Sequence, residues 1–194
     1  MAAIKVLAFA GSLRKESFNK RVVNIAADAA SAAGAIVTRI DLRDYPLPIF
    51  SEDVEATEGL PDAARQLKAL FLENQALILG CPEYNSSITA ALKNVIDWVS
   101  RPAPTETPLQ CFMGKVAGLV SASPGALGGL RGLVHVRAIL GNIGVFVLPN
   151  QMAVGRVNEV LDENDQIKDA RVRQAVMQIG TDVAAVTARL YGIG

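Results

Sequence analysis

The chain has 194 residues, two of them cysteines, and its 19 lysines and arginines balance 19 aspartates and glutamates. That length suits one domain, or one domain with an extension, and lets a fold bury about 70% of its unfolded surface without disulfides or a structural metal. Zero net charge excludes the basic footprint of a general nucleic-acid binder and speaks against a small acidic electron carrier that docks by charge, while a 51% hydrophobic share excludes intrinsic disorder.

The first predicted strand is the apolar run 4–10, which stops at Gly11-Ser12. Short β-branched runs bounded by turn residues read as buried parallel strands, and four more follow at 35–41, 76–81, 116–121 and 145–148. Between and after them, helical periodicity covers 18–33, 61–73, 88–100, 127–142 and 167–191. Alternating strands and helices predict an α/β fold, a parallel sheet with helices on both faces. With right-handed crossovers, five strands fit the three-layer flavodoxin-like order 2-1-3-4-5. One domain over 1–194 accommodates the whole series. Two stretches break the pattern: 42–59, with Pro46 and Pro48, and 101–108, with Pro102, Pro104 and Pro108. Long ordered loops of this kind serve function or cover a subunit contact.

Cys81 and Cys111 lie thirty positions apart without CxxC spacing and read as reduced, buried thiols of a cytosolic protein. They and the lone His135 offer too few soft ligands for zinc. No GxSxG is present for a nucleophile elbow, so His135 reads as a structural or surface side chain. No charged leader precedes a long apolar core, and no run reaches 18 apolar residues, which predicts an untargeted, cytoplasmic protein.

In an open parallel sheet, ligands bind at the carboxyl ends of the strands where the strand order reverses. The loops after strands 1, 3 and 4 are therefore the candidate site. The first, Gly11-Ser12-Leu13-Arg14-Lys15-Glu16-Ser17-Phe18-Asn19, is neither a P-loop nor GxGxxG. It opens a helix, whose first amides form an anion site. Lys20 and Arg21 sit at that helix start, where cations are disfavoured by roughly 0.3–1 kcal/mol each and a bound phosphate would offset them. The second loop, Cys81-Pro82-Glu83-Tyr84-Asn85-Ser86-Ser87, exposes an aromatic suited to covering a flat ring. The third, Ser121-Ala122-Ser123-Pro124-Gly125-Ala126-Leu127-Gly128-Gly129, has small residues that let backbone approach a ligand closely. Together they describe a slot for a phosphorylated, flat, polar-edged heterocycle, a mononucleotide flavin rather than a dinucleotide. Asp41, which ends strand 2, is the one counter-signal.

These residues resemble a known family. Gly11-Ser12-Leu13-Arg14 through Ser17-Phe18-Asn19 is similar to the GSxRxxSxN phosphate loop of the NAD(P)H-dependent FMN reductases. Pro82-Glu83-Tyr84-Asn85, followed by Leu92-Lys93-Asn94 and Asp97-Trp98, resembles their PEYN…LKNxxDW segment. The resemblance is nearest to the bacterial quinone and chromate reductases and weakens after about residue 150. It implies a flavodoxin-like subunit with noncovalent FMN. Ser12, Arg14, Ser17, Phe18 and Asn19 would hold the phosphate. Pro82, Glu83, Tyr84 and Asn85 would lie along the isoalloxazine ring, with a backbone N–H near flavin N5. Ser121, Ser123 and Gly125 would reach the pyrimidine edge. Thr89-Ala90 stands where the family often has Pro-Gly, which leaves the helix start more regular, and Glu16 often corresponds to a glycine.

The implied mechanism assigns no protein acid, base or nucleophile, because the flavin carries the chemistry. NADH or NADPH gives hydride to N5 and leaves. A quinone, or a chromate, ferric or azo compound, then takes the electrons in a ping-pong cycle. Arg101 and Tyr84 are the candidate substrate contacts. The resemblance, with the long Pro-bearing loops, implies a homodimer or homotetramer. The alternative is a flavodoxin-like carrier serving a protein partner.

Overall fold

Short apolar runs build the centre of the molecule, as read in a computed structural model that describes residues 3–192. Strands β1 (Lys5–Ala10), β2 (Ile36–Arg39), β3 (Ala76–Gly80), β6 (Val116–Ala122) and β7 (Phe146–Val154) form one parallel sheet in the order β2-β1-β3-β6-β7. This is the 2-1-3-4-5 order expected from the sequence. Strands β4 (Glu83–Tyr84) and β5 (Ser87–Ile88) form a separate antiparallel hairpin.

Alternation along each strand sends side chains to opposite faces. Val6, Ala8 and Ala10 of β1, with Ala76 and Ile78 of β3, meet helices α1 (Phe18–Ala32) and α7 (Ala170–Leu190). Leu7, Phe9, Leu77 and Leu79 meet α3 (Asp62–Glu73), α4 (Ala90–Ser100) and α5 (Leu130–Asn142). On that second face Phe71 stacks edge-on with Phe112 at 5.2 Å and lies 5.9 Å from Phe9. Each fully buried side chain of this size contributes about 1.5–3 kcal/mol. On the first face α1 and α7 cross so closely that a Cβ at Gly180 has no room beside the Ala26 carbonyl.

The structure departs from the sequence expectation in several places. The 42–59 stretch contains a 3-10 turn (Leu42–Asp44) and helix α2 (Glu52–Glu58). Helix α4 begins at Ala90 rather than Ile88, because Ile88 belongs to the hairpin. Strand β7 runs on past Leu148: its pairing slips between Ala117, opposite Val147, and Leu119, opposite Gln151. Pro149 falls in the slipped segment, as an edge strand allows, and the Arg137 guanidinium donates to the Val147, Leu148 and Pro149 carbonyls there. The chain also forms the short helix α6 (Val157–Val160). Among the described residues no helix is long and apolar enough to cross a membrane.

Candidate flavin site

The carboxyl ends of β1, β3 and β6 lie side by side at the point where the strand order reverses, and glycines bring their loops together. Gly11 extends β1, its N–H donating to the Gly80 carbonyl at 2.8 Å. A Cβ on Gly11 would stand 2.6 Å from Leu92 Cβ, so the start of α4 packs on the first loop. A Cβ on Gly80 would stand 2.7 Å from the Asn19 carbonyl, so the start of α1 packs on β3. Thr89 ties the two loops: its hydroxyl donates to the Gly11 carbonyl at 2.6 Å and accepts from the Leu92 N–H at 3.1 Å. It thereby caps α4, the regular helix start expected from Thr89-Ala90.

Helix α1 begins differently. Ser17 occupies the N-cap position with extended backbone, is buried, and makes no side-chain bond to the helix it precedes. The Phe18 and Asn19 amides find no acceptor among the described residues. Arg14, exposed beside them, makes no ion pair among the described residues, and its N–H donates to Ser12 Oγ at 3.3 Å. A helix start left without an internal acceptor is an anion-binding device.

The cations one turn on are matched within the protein. Lys20 pairs with Asp41 at 2.7 Å, and Arg21 pairs with Glu16 and Asp165 at 3.1 Å each. Burial pushes the Asp41 carboxyl up, but hydrogen bonds from Arg43 and Lys20 outweigh it and hold the group well below the usual carboxylate range. The charge conflict expected at Lys20 and Arg21 is therefore met by these carboxylates, and it no longer argues for a phosphate. The orphan amides, Ser17 and Arg14 do.

The second loop is the β4–β5 hairpin. Asn85 and Ser86 form its two-residue turn with φ of 50° and 67°, the left-handed pair of a type I′ turn. Tyr84 is 56% exposed at its edge, and Pro82 is buried at its base. The third loop is fixed by Ser121, whose hydroxyl donates to the Gly128 carbonyl at 2.8 Å, and by Gly155, which has no room for a Cβ against the Ala126 carbonyl. Ser123 and Gly125 stay at the surface, the Ser123 hydroxyl 3.4 Å from the Gly125 carbonyl.

The predicted residues thus divide. Ser12, Arg14, Ser17, Phe18, Tyr84, Asn85, Ser123 and Gly125 gather on the three loops with side chains or backbone that face outward or lack a strong internal partner. Asn19, Glu83 and Ser121 are on the same loops, but their side chains are spent inside the fold. Asn19 bonds both backbone groups of Ala122, and Glu83 bonds Arg131 and the Gly132 N–H. Arg101 is not brought to the loops. It follows the last residue of α4, whose first residue is at the site, and eleven helical residues carry it about 16 Å away. There it pairs with Glu55 at 2.8 Å and lies over the Phe50 ring. Sequence reasoning passed over Gly80 and Gly155, and it read Thr89 as part of a regular helix start without its tie to Gly11. The one signal available for Thr89 is its place as a hydroxyl residue directly before an apolar helical run.

The buried thiols are structural: burial pushes Cys81 far above its ordinary pKa and Cys111 upward as well. His135 lies on the exposed side of α5. No group of three metal-ligating side chains occurs among the described residues.

A family model described as NADPH-dependent FMN reductase matches residues 4–159. An NAD(P)H-dependent FMN reductase of Pseudomonas aeruginosa is 33% identical over 177 residues, which cover 90% of this chain and 90% of its own. The quinone reductase of Escherichia coli strain K12 is 32% identical over 168 residues, 86% of each chain. The solved structure of FerB, a flavoenzyme NAD(P)H:(acceptor) oxidoreductase from Paracoccus denitrificans, superposes with a TM-score of 0.78 at 22% identity, covering 96% of this chain and 98% of that one, and shares the fold. The chain belongs to the NADPH-dependent FMN reductase family, oxidoreductases that carry FMN and draw electrons from NAD(P)H.

Proposed function

We propose that this protein is a cytoplasmic NAD(P)H:quinone oxidoreductase that works by a ping-pong cycle through FMN. The observation that carries the reading is the unmet start of α1, which has an N-cap serine whose hydroxyl caps nothing, two amides without acceptors among the described residues and, three residues upstream, an arginine with no ion pair among the described residues. A dianionic phosphate supplies what all four lack.

The chain's residues fit the group. Ser17, the first amides of α1 and Arg14 hold the phosphate. The β4–β5 hairpin presents Tyr84 and the backbone of Asn85 and Ser86 along the ring, and Ser123 and Gly125 border its polar edge. When bound, FMN accepts hydride from a reduced nicotinamide and passes it to the acceptor. The protein positions this exchange and needs no side-chain acid or base of its own. Tyr84, half exposed, is the contact for the nicotinamide and then for the quinone. Chromate, ferric chelates and azo compounds are further acceptors within reach of the same site. Two buried thiols that form no disulfide suit a reducing compartment.

We also propose that the protein is a homodimer or homotetramer. Leu13, at 58% exposure, and Ile49, at 87%, lie beside one groove along α4 and the 42–50 segment, close to the first loop. Covering that groove would bring a subunit contact next to the flavin.

The test is a visible spectrum of FMN-loaded protein during anaerobic titration with NADH, then NADPH, followed by a quinone. Prompt bleaching and quinone-driven recolouring are expected. Protein that stays colourless after incubation with FMN overturns the reading.

A further inference from the structure

The hairpin that carries Tyr84 has two paired residues on each strand and stands outside the main sheet. Two such strands do not hold a conformation alone in water, and two left-handed residues at the turn add strain. Its support comes from one face of α5. Glu83, on the first strand, accepts from Arg131 Nη2 at 2.7 Å and Nε at 3.1 Å through one carboxylate oxygen, and from the Gly132 N–H at 3.0 Å through the other. Ser87, on the second strand, has its hydroxyl 2.8 Å from His135 Nδ1. Between these anchors a Cβ on Gly132 would stand 3.3 Å from the Ser87 carbonyl and 3.4 Å from Glu83 Cβ, so the hairpin rests directly on the helix.

We propose that Arg131 and His135 are positioning residues for the flavin site, a two-point latch that fixes the height and tilt of the Tyr84 hairpin through Glu83 and Ser87. Each strand is pinned once, by residues one helical turn apart, and the turn residues between the pins are left to face the ring. The latch also links two of the three loops. α5 starts at the end of the third loop, so hairpin and third loop are referred to one rigid helix. The Arg131 side chain is 56% exposed and the Glu83 side chain 10%, and Glu83 keeps the Gly132 N–H when Arg131 is removed, so the carboxylate is not stranded and the cost to global stability is modest. The effect of losing the latch is therefore local. The inference rests on the FMN reading for its consequence, and on the hairpin contacts for its mechanics.

The test compares wild type, Arg131→Ala, Arg131→Lys and the Arg131→Ala/His135→Ala double variant. Hydrogen–deuterium exchange across 83–88 is followed in the protein without added flavin, and FMN affinity and the visible circular dichroism of bound FMN in the loaded protein. The double variant is expected to unfold within about 4 °C of wild type, because the removed side chains are exposed and Glu83 keeps one backbone donor. Its hairpin amides are expected to exchange about tenfold faster, its FMN Kd to rise about tenfold, and its flavin dichroism to change. Arg131→Lys is expected to recover less than half of the affinity, since an ammonium lacks the planar fork whose Nε and Nη2 both reach Glu83 Oε1. Wild-type exchange in the double variant overturns the latch. Faster exchange with wild-type affinity and dichroism overturns its role in positioning the flavin. A wild-type protein that takes up no FMN overturns that role too, along with the FMN reading, while exchange still decides whether α5 holds the hairpin.

Discussion

Asn19 and Ala122 are joined by both ends of one amide. Asn19 Nδ2 donates to the Ala122 carbonyl at 2.8 Å, and Asn19 Oδ1 accepts from the Ala122 N–H at 2.9 Å, across 103 positions of sequence. Both groups are buried. The pairing satisfies the last residue of β6 and locks the first loop to the loop after that strand. An asparagine in the first turn of α1 is a brace between two walls of the slot.

Replacing Asn19 with alanine strands two buried backbone groups, at about 1–3 kcal/mol each. For a chain of this size, each kcal/mol lowers Tm by about 2–4 °C. Asn19→Ala is expected to melt clearly earlier in calorimetry and to bind FMN more weakly as the walls loosen. An unchanged Tm would show that water replaces the amide at no cost.

Ser17 and Thr89 both precede helices, yet only Thr89 caps one. Thr89→Ala removes a cap and the tie to Gly11, and about 1–2 kcal/mol of stability is expected to go with it. Ser17→Ala removes a hydroxyl with no bond to its helix. Its Tm is expected to stay near wild type while FMN affinity falls about tenfold. Thermal melts without flavin, set beside fluorescence titration with FMN, separate the two. Equal losses of stability would contradict the assignment of Ser17 to the phosphate.

Gly11 admits no side chain because Leu92 Cβ occupies the space at 2.6 Å. Gly11→Ala is expected to cost about 1–3 kcal/mol as an overpacked contact and to displace the first loop from α4. Trimming the obstacle tests the cause. Gly11→Ala/Leu92→Gly, which removes that Cβ, is expected to bind FMN more tightly than Gly11→Ala alone, although Leu92→Gly by itself leaves a cavity and weakens α4. If the second substitution only deepens the loss of affinity, steric displacement is not the reason for the glycine.

The sheet order and the three loops were legible because each apolar run gives way to small, polar or proline residues, at Gly11-Ser12, Cys81-Pro82 and Ser121-Ala122-Ser123. Local composition carries that information. The extent of β7 was hidden by Pro149, which lacks a donor and reads as an end; only Arg137, reaching from α5, shows how the strand continues. The hairpin is too short for period-two alternation to register. The commitments of Asn19, Glu83 and Ser121 were unreadable because their partners are mostly backbone groups, remote in sequence for Asn19 and Glu83. Arg101 stands away from the loops of its own chain for a simple reason. Adjacency to Asp97-Trp98 in sequence says nothing of direction, and α4 points away from the site.

Lys115 supplies a pH test of the packing at the opposite end of the sheet. It lies buried just before β6, its ammonium donating to the Asn74 carbonyl while Asn74 Oδ1 has no partner among the described residues. Burial pushes its pKa down from 10.5 to about 8. Below pH 8 folded and unfolded chains both hold this proton, and the folded state bears the whole cost of the buried charge. Between about 8 and 10.5 the unfolded chain binds more protons than the folded one, so this group's contribution to stability rises with pH. Lys115→Met abolishes that rise. The stability of wild type relative to Lys115→Met, from urea melts at pH 7.5 and 10.5, is therefore expected to increase by up to about 3 kcal/mol. Cys81 and Cys111, whose thiols burial pushes up, contribute the opposite slope above their ordinary pKa. Their share is common to both proteins and largely cancels in the difference. A difference that stays flat across this range would mean that Lys115 reaches water and titrates as an ordinary lysine.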